Sequence, residues 1–466
     1  MPIRAPFPPE LLAPALSLGR HVAEASGRLL IVGGAVRDAL LGYTPKDLDL
    51  EVFGIPTEKL ESILPRVAPF DPVGKSFSVY KLKNLPIDVS LPRLETLIGT
   101  KHTDFAVEAN PHLPLEVAAQ RRDFTINALS WDPLNEELID PCHGLDDLHS
   151  RTLRHVSHKF AEDPLRVLRA AQFVSRFQLQ VDPETLTLCR KLGQEGLSSE
   201  RLFEEWKKLL LQGEKPSLGL RFLRDVGWLR YYPELLRLVD CPQDPEWHPE
   251  GDVWTHTLHC LDAFARSRTG DPHTDLIVGL AVLCHDLGKP ATTVLSRGRL
   301  RSPGHEEAGI EPTRSFLARL TRETELLQIV PLLVSEHMKP SELFKAQASH
   351  AAVRRLALRV GRLDLLARVV NADIDGRPPI PPGDYRATEW LLHTAESLSV
   401  QAGKPIPIIQ GRDVLALGLP PGPPVGRLLQ ACFEAQLDGV FETHADGLNY
   451  LRQLLRTASP PQQTEE

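Results

Sequence analysis

The sequence has little cysteine, few aromatic side chains and no long apolar run, and each shortage argues against a class of protein. Its six cysteines (Cys142, Cys189, Cys241, Cys260, Cys284 and Cys432) are scattered over 466 residues and form no C-x-x-C pair. That pattern argues against a disulfide framework or a cysteine-rich zinc module, and fits buried free thiols in a reducing compartment. Aromatic residues make up 6% of the chain against 41 prolines, so a helical, frequently interrupted architecture is expected rather than a β-rich one. No stretch approaches the roughly 20 apolar residues that span a bilayer. The start, "MPIRAPFPPELLAPALSLGR", is broken by prolines and lacks the compact apolar core of a signal peptide. A cytoplasmic protein with no membrane partner is expected. The formal net charge of -8 argues against bulk electrostatic binding of nucleic acid but leaves room for local basic patches. The length allows about two to four domains. No internal repeat is present, and nothing in the sequence signals an oligomeric state.

Among what is present, "LLIVGGAVRDALLGYTPKDLDLEVFG" (29–54) is the most telling stretch. An apolar run meets Gly33 and Gly34, and a short amphipathic piece follows up to Gly42. Strand, tight turn and helix in that order can cradle a phosphate. The third glycine of a dinucleotide fingerprint is missing, however, and Arg37 follows the turn instead. Asp47 and Asp49 open the next strand, and side chains two apart on a strand share a face. Two adjacent carboxylates are unfavourable unless cations sit between them; taken alone, the pair also reads as solvated acids.

Short apolar runs ("LLIV", "LDLEVF", "SVYKL", "PIDVSL", "INALSWDP") alternate with helical pieces from Arg28 to Asp140, as a small mixed α/β unit would. Beyond "DPCHGLDDL" the texture turns to helical periodicity. "LSSERLFEEWKKLLL" has serines in N-cap position and Leu202, Phe203, Trp206, Leu209 and Leu210 on one face. "EDPLRVLRAAQF" places Asp163 as N-cap, Pro164 at N1, and Arg166 and Arg169 on the following turns. Residues 93–120 form a polar segment too irregular to assign to helix or strand, and it reads as a long surface loop.

In order, "GGAVRD", "KDLDLEV", "RRDFTINAL", "IDPCHGLDDL", "EDPLRVLRA" and "SSERLFEEWKKLL" resemble the motif set of class II tRNA nucleotidyltransferases and bacterial poly(A) polymerases. The resemblance covers roughly residues 25 to 215. It implies an α+β fold, with a polymerase-β-like head followed by a mostly helical neck. It also implies that Asp47 and Asp49 hold two Mg²⁺ ions, which activate a primer hydroxyl and neutralise a triphosphate. By the same resemblance Gly34 and Arg37 contact the triphosphate, while Arg122 and Asp123 lie beside the nucleotide and its ribose. Asp163 and Arg166 present hydrogen-bonding groups to the base edge, and Arg169 adds a phosphate contact. The partners so implied are tRNA, CTP and ATP. The family commonly carries an arginine where this chain has Gln172. Segment 93–120 corresponds to a flexible loop that the family uses to switch from C to A addition. An A-adding-only enzyme, a poly(A) polymerase and a catalytically inactive RNA-binding regulator are alternatives.

The second half carries His256, then the adjacent His285 and Asp286 at the polar end of an apolar helix, then His305, His337 and Asp373. Imidazoles and carboxylates together suit first-row divalent metals. Their order resembles the HD phosphohydrolases over roughly residues 250 to 380. That resemblance implies one metal (a divalent transition metal or Mg²⁺) at His256, His285, Asp286 and Asp373, with Asp286 bridging to a second at His305 and His337. His259 and His350 read as structural.

Together these readings give a helical extension (1–26), a nucleotidyltransferase head (27–150), a helical neck (151–240) and an HD domain (250–380). A helical tail (381–457) and a disordered end (458–466) complete the plan. Arg354, Arg355, Arg359, Arg362 and Arg368, with Arg151, Arg154, Lys159 and Arg176 in the neck, are expected to supply basic surface for tRNA.

Overall fold

The computed structural model describes residues 7–73, 79–97 and 105–458. The chain divides into two compact units, with the boundary between Tyr231 and Tyr232.

The first unit opens with helix Pro9–Glu24, which buries Leu11, Ala15, Leu18 and Val22 on one stripe. Nine strands follow: β1 (Arg28–Val32), β2 (Leu48–Phe53), β3 (Phe70–Val73), β4 (Val79–Leu82), β5 (Ile87–Ser90), β6 (Arg93–Leu97), β7 (Phe105–Ala109), β8 (Ser130–Asp132) and β9 (Glu137–Ile139). Seven of them form one mixed sheet in the order β3-β4-β5-β2-β1-β8-β9. The run Leu29–Val32 is buried throughout, which places β1 inside the sheet and explains why it shows no polar alternation. In β2 the apolar Leu48, Leu50 and Val52 alternate with Asp49 and Glu51, so one face joins the core and the other carries acids. β2 runs parallel to β5 and brings Asp49 opposite Asp88.

Segment 93–120 departs from the loop expected for it. β6 and β7 pair antiparallel, Arg93 opposite Ala109 and Leu97 opposite Phe105, and helix Leu115–Ala119 follows. Neither "RLETL" nor "FAVEA" alternates polar and apolar residues strictly, so no period of two marks this pair in the sequence. Residues 98–104, the middle of the proposed switching loop, lie outside the described residues.

In the neck, helix Leu165–Phe177 crosses helix Pro216–Asp225 closely at Gly219. A Cβ there would stand 2.2 Å from Ser175 Oγ and 2.4 Å from Ala171 O. Helix Ser199–Gln212 starts at Ser198, whose hydroxyl accepts from Arg201 N at 3.5 Å, and buries Leu202, Phe203, Trp206, Leu209 and Leu210 as the periodicity predicts.

The second unit is built around helix Pro272–Cys284, whose residues 275–284 are all buried. A helix apolar on every side must be central, and helices Val253–Arg266, Thr324–Glu336 and Leu363–Asp375 pack on it. Beyond 400, a separate small core gathers Ile409, Val414, Cys432, Ala435, Phe441 and Leu451. The last helix runs through Ala458, and the remainder of the expected disordered end lies outside the described residues. No helix among the described residues is long and apolar enough to cross a membrane.

The arginine cluster of the second unit does not form the free basic surface expected of it. Arg354 pairs with Glu442, Arg355 with Glu434 and Asp438, Arg359 with Glu336, Arg362 with Asp364, and Arg368 with Asp275. The carboxylates come mostly from elements distant in sequence, so the neutralisation is invisible to a local count of charge.

Candidate functional site

In the first unit a cleft of about 530 Å³ opens where the sheet meets the neck. Gly33, at φ 72°, ends β1 in a backbone conformation that favours glycine, and helix Gly34–Leu40 departs from it. Gly34, Arg37, Asp49, Arg122, Asp123, Asp163, Arg166 and Arg169 all line this one cleft. Asp47 precedes β2 by one residue, is exposed, and does not line it.

Asp49 keeps an exposed edge in the cleft, yet the protein around it displaces enough water to raise its carboxyl above the ordinary range; Arg122 opposes the shift, while Asp47, Asp88 and Glu51 reinforce it. Asp49 and Asp88 share a smaller recess with Ser90, Arg93 and Arg122. Oxygen donors gathered in this way suit a hard cation such as Mg²⁺. Sequence reasoning missed Asp88. The signal for it was an acid alternating with Ile87 and Val89 in an otherwise apolar strand.

Arg37 is 4% exposed. It donates to Asn127 Oδ1 and, at 2.8 and 2.6 Å, to Asp38 Oδ1, and its guanidinium lies 4.9 and 4.7 Å from the Phe173 and Phe177 ring centroids. Burial lowers its pKa, against the pull of Asp38. The other oxygen of Asp38 accepts from Arg176 at 2.8 Å.

Asp123 accepts three hydrogen bonds, from Phe124 N, Asn127 Nδ2 and Arg169 Nε, and forms an ion pair with Arg169 Nη2. Phe124 N and Asn127 Nδ2 reach Oδ1, each at 2.8 Å, while Arg169 Nε and Nη2 reach Oδ2, each at 2.7 Å. Burial would raise its pKa, but Arg169 and Asn127 outweigh that and hold it below the usual carboxylate range. Asp163 does cap the following helix, accepting from Leu165 N at 3.2 Å, and also pairs with Arg201 at 2.7 Å. Arg166 donates to the carbonyls of Lys159 and Arg121 at 2.7 and 2.8 Å. Gln172 is buried in the wall, with Arg176 one turn beyond it. Arg201, Lys208 and Gln212 complete the lining. Their spacing of seven and four marks one polar helix face, a signal present in the sequence but not used.

In the second unit His256, His285, Asp286, His305, His337 and Asp373 converge from five segments, with His285 and Asp286 side by side at one helix end. Three imidazoles turn Nδ1 to a backbone carbonyl: His285 to Val282 O at 2.8 Å, His305 to Ser302 O at 2.9 Å and His337 to Val334 O at 2.6 Å. A carbonyl only accepts, so Nδ1 carries the proton and Nε2 offers a lone pair inward. His305 Nε2 then faces His337 Nε2 at 3.3 Å. Two lone pairs at that distance repel unless a proton or a metal ion is shared between them. Burial and the neighbouring His285 and His305 lower the His337 pKa to about 3, which keeps it neutral.

Asp286 lies between the histidine pairs, with Oδ2 3.2 Å from His285 Nε2 and Oδ1 3.4 Å from His305 Nε2. Neither oxygen accepts a formed hydrogen bond although the residue is buried, and the Lys289 ammonium stands 2.7 Å away. A buried carboxylate with Oδ1 left without a hydrogen bond, beside converging imidazole nitrogens, is a donor set that could hold a divalent metal. Asp373 Oδ1 completes it, 3.1 Å from His256 Nε2 and 3.2 Å from Arg377 Nη2. Sequence reasoning passed over Glu250, which accepts from His256 Nδ1 at 2.7 Å and His248 Nδ1 at 2.9 Å. The "HPEGD" segment that holds it reads as a linker. A cavity of about 370 Å³, lined in part by Trp247, Arg301 and Arg377, opens onto Asp286, His305, His337 and Asp373.

A mixed sheet presents Asp49 and Asp88 beside a glycine turn and is continued by arginine-bearing helices, and this part of the chain matches a nucleotidyltransferase class, that of the poly(A) polymerases. The Poly A polymerase head domain matches residues 29–154, and the probable RNA and SrmB-binding site of polymerase A matches residues 178–238. Proteins named multifunctional CCA protein are similar along most of the chain. That of Xylella fastidiosa strain 9a5c is 37% identical over 387 residues, covering 80% of this chain and 90% of its own. The chain belongs to the family of the multifunctional CCA proteins. In fold it resembles the Bacillus stearothermophilus CCA-adding enzyme in complex with CTP, at TM-score 0.67, 22% identity and coverage of 97% and 98% of the two chains. It also resembles the Thermotoga maritima CCA-adding enzyme complexed with tRNA, at TM-score 0.59, 19% identity and 97% of each chain.

Proposed function

We propose that this protein builds or repairs the 3′-terminal CCA of tRNA from CTP and ATP without a nucleic-acid template, and that residues 250–380 of its second unit form an HD-type phosphohydrolase domain. The observation that carries the first part is the meeting in one cleft of Asp49, the glycine turn and the Asp163–Arg166 pair. Held by Asp47, Asp49 and Asp88, Mg²⁺ would neutralise the triphosphate and activate the primer hydroxyl. Arg122 and the Gly33–Gly34 turn, which line the same cleft, would contact the phosphates. Arg37, locked by Asp38 and Asn127, supplies a fixed positive charge behind them. Arg166 uses two of its five N–H groups on backbone carbonyls and keeps three; Asp163 retains acceptor capacity beyond Leu165 and Arg201. Donor and acceptor together fit the edges of C and A.

The second part rests on the His305–His337 contact and the unsatisfied Asp286. A bound divalent ion there acidifies water into a nucleophile for phosphoesters. The reach of Lys289, Arg301 and Arg377 into the cavity suits an anionic substrate.

Transcripts of one tRNA lacking its last one, two or three nucleotides, each offered CTP, ATP or both, test the first part. Completion of all three ends supports CCA addition. Extension only of the transcript lacking its last residue selects the A-adding alternative, which the Gln172 substitution favours, and long A tails select poly(A) polymerase. For the second part, Asp286→Ala should abolish hydrolysis of phosphomonoesters or 2′,3′-cyclic nucleotides and leave nucleotide addition intact.

A further inference from the structure

Cys260 lies one helical turn beyond His256 on helix Val253–Arg266, fully buried, in contact with the metal-binding side chains. Its Sγ is 3.4 Å from His256 Nε2. Backbone closes around the sulfur from the other side: a Cβ on Gly376 would stand 2.2 Å from it. Ligand atoms of His256, Cys260, His285 and Asp373 all lie within 4.8 Å of one another. Donors around a tetrahedral ion, at bond lengths of about 2.0–2.3 Å, stand roughly 3.3–3.8 Å apart. His256 and His285, at 3.4 Å between Nε2 atoms, and His256 and Asp373, at 3.1 Å, approach that spacing. The buried Asp286 carboxylate, whose Oδ2 lies 3.7 Å from His256 Nε2 and pairs with Lys289 at 2.7 Å, leaves Oδ1 without a hydrogen bond or ammonium, an independent sign that a further cation belongs beside this cluster.

We propose that the Cys260 thiolate is a ligand of the ion held by His256, His285 and Asp373. The proposal rests on the metal centre argued above and changes its chemistry. A sulfur donor makes this position a two-histidine, aspartate and cysteine set, softer than nitrogen and oxygen ligands alone. Such a set selects Zn²⁺, Co²⁺ or Fe²⁺ over Mg²⁺ and Mn²⁺. As the metal–sulfur bond forms, the S–H proton leaves to solvent, one per ion bound. Asp286 then lies between this position and the second one at His305 and His337.

The test uses the full-length protein, stripped of metal and reloaded with Co²⁺ or Zn²⁺. Co²⁺ bound here should produce a near-ultraviolet sulfur-to-cobalt charge-transfer band beside its visible ligand-field bands. Cys260→Ser should lose the charge-transfer band, keep ligand-field bands from the remaining donors, and bind Zn²⁺ at least tenfold more weakly at this position. His305→Ala should keep the charge-transfer band, because it touches only the second position. X-ray absorption of the Zn²⁺-loaded wild type needs no variant and should contain a sulfur scatterer at about 2.3 Å. Ligand-field bands with no charge-transfer band, or a Zn²⁺ shell of nitrogen and oxygen only, would overturn the cysteine ligand and leave the metal centre standing. Failure to take up either ion would overturn both.

Discussion

Replacing Asp123 tests how the nucleotide cleft is held together. The resemblance implies that this aspartate lies beside the ribose, yet its carboxylate already accepts from Phe124 N, Asn127 Nδ2 and Arg169 Nε and pairs with Arg169 Nη2 at 2.7 Å. A carboxylate offers about four acceptor sites, and most of that capacity is used within the protein. We propose that Asp123 is a positioning residue, acting through Arg169 and Asn127 rather than on the sugar. Asp123→Ala leaves the Arg169 guanidinium, 33% exposed, with Glu205 at 3.7 Å as a remaining carboxylate. Breaking one side of a fully buried pair costs about 3–5 kcal/mol, and the exposure of Arg169 brings the expected loss to the lower end of that range. Asp123→Asn keeps one oxygen for Phe124 N and Asn127 but turns an amide toward Arg169, so a loss of about 1.5–3 kcal/mol is expected. Adding Arg169→Met to Asp123→Ala should recover part of the loss, since an apolar replacement of both partners is often neutral. Hydrogen exchange of the 121–130 amides along a urea series measures these changes in the head itself. The preference for CTP over dCTP should stay the same in Asp123→Asn even as kcat falls. A loss below about 1 kcal/mol in Asp123→Ala, or a collapsed preference for the ribose, would refute the reasoning.

The same group sets a pH dependence: its folded pKa is depressed, so its stabilisation is complete above the unfolded carboxylate pKa of about 3.9 and is lost as pH falls through the folded value. The stability gap between wild type and Asp123→Asn should be full at neutral pH and shrink in urea titrations below about pH 4. Asp49→Ala and Asp88→Ala should each lower nucleotide addition, Asp49→Ala by of order 10³-fold or more, with tRNA binding kept in a filter assay; addition within tenfold of wild type would remove Asp49 from the metal site. Arg166→Ala should narrow the preference for CTP and ATP over UTP and GTP by about ten- to a hundredfold, the value of a lost buried bond, and an unchanged four-nucleotide profile would reduce the motif to a helix cap. Gly219→Ala forces a methyl into the Ala171 carbonyl and should cost about 1–3 kcal/mol in thermal unfolding of the first unit.

Much of both sites was legible because their residues are packed into short motifs. The glycine turn with Arg37, the Asp163–Arg166 cap and the His285–Asp286 pair are local arrangements, where neighbours in sequence are neighbours in space. Asp88 escaped because its partner is Asp49 across a parallel strand pair, nearly forty residues away, and no local period encodes that register. The arginines of 354–368 misled for the converse reason: their charge is contiguous in sequence, while the carboxylates that cancel it arrive from other helices. Cys260 shows the same limit from another side. In the sequence it is one of six scattered thiols without a partner. On the helix it stands four residues from His256, and only the approach of Gly376 and Asp373 from a segment more than a hundred residues later encloses it as part of a site. Chemistry carried by adjacent residues can be read directly, whereas chemistry assembled by packing depends on elements whose approach the sequence does not record.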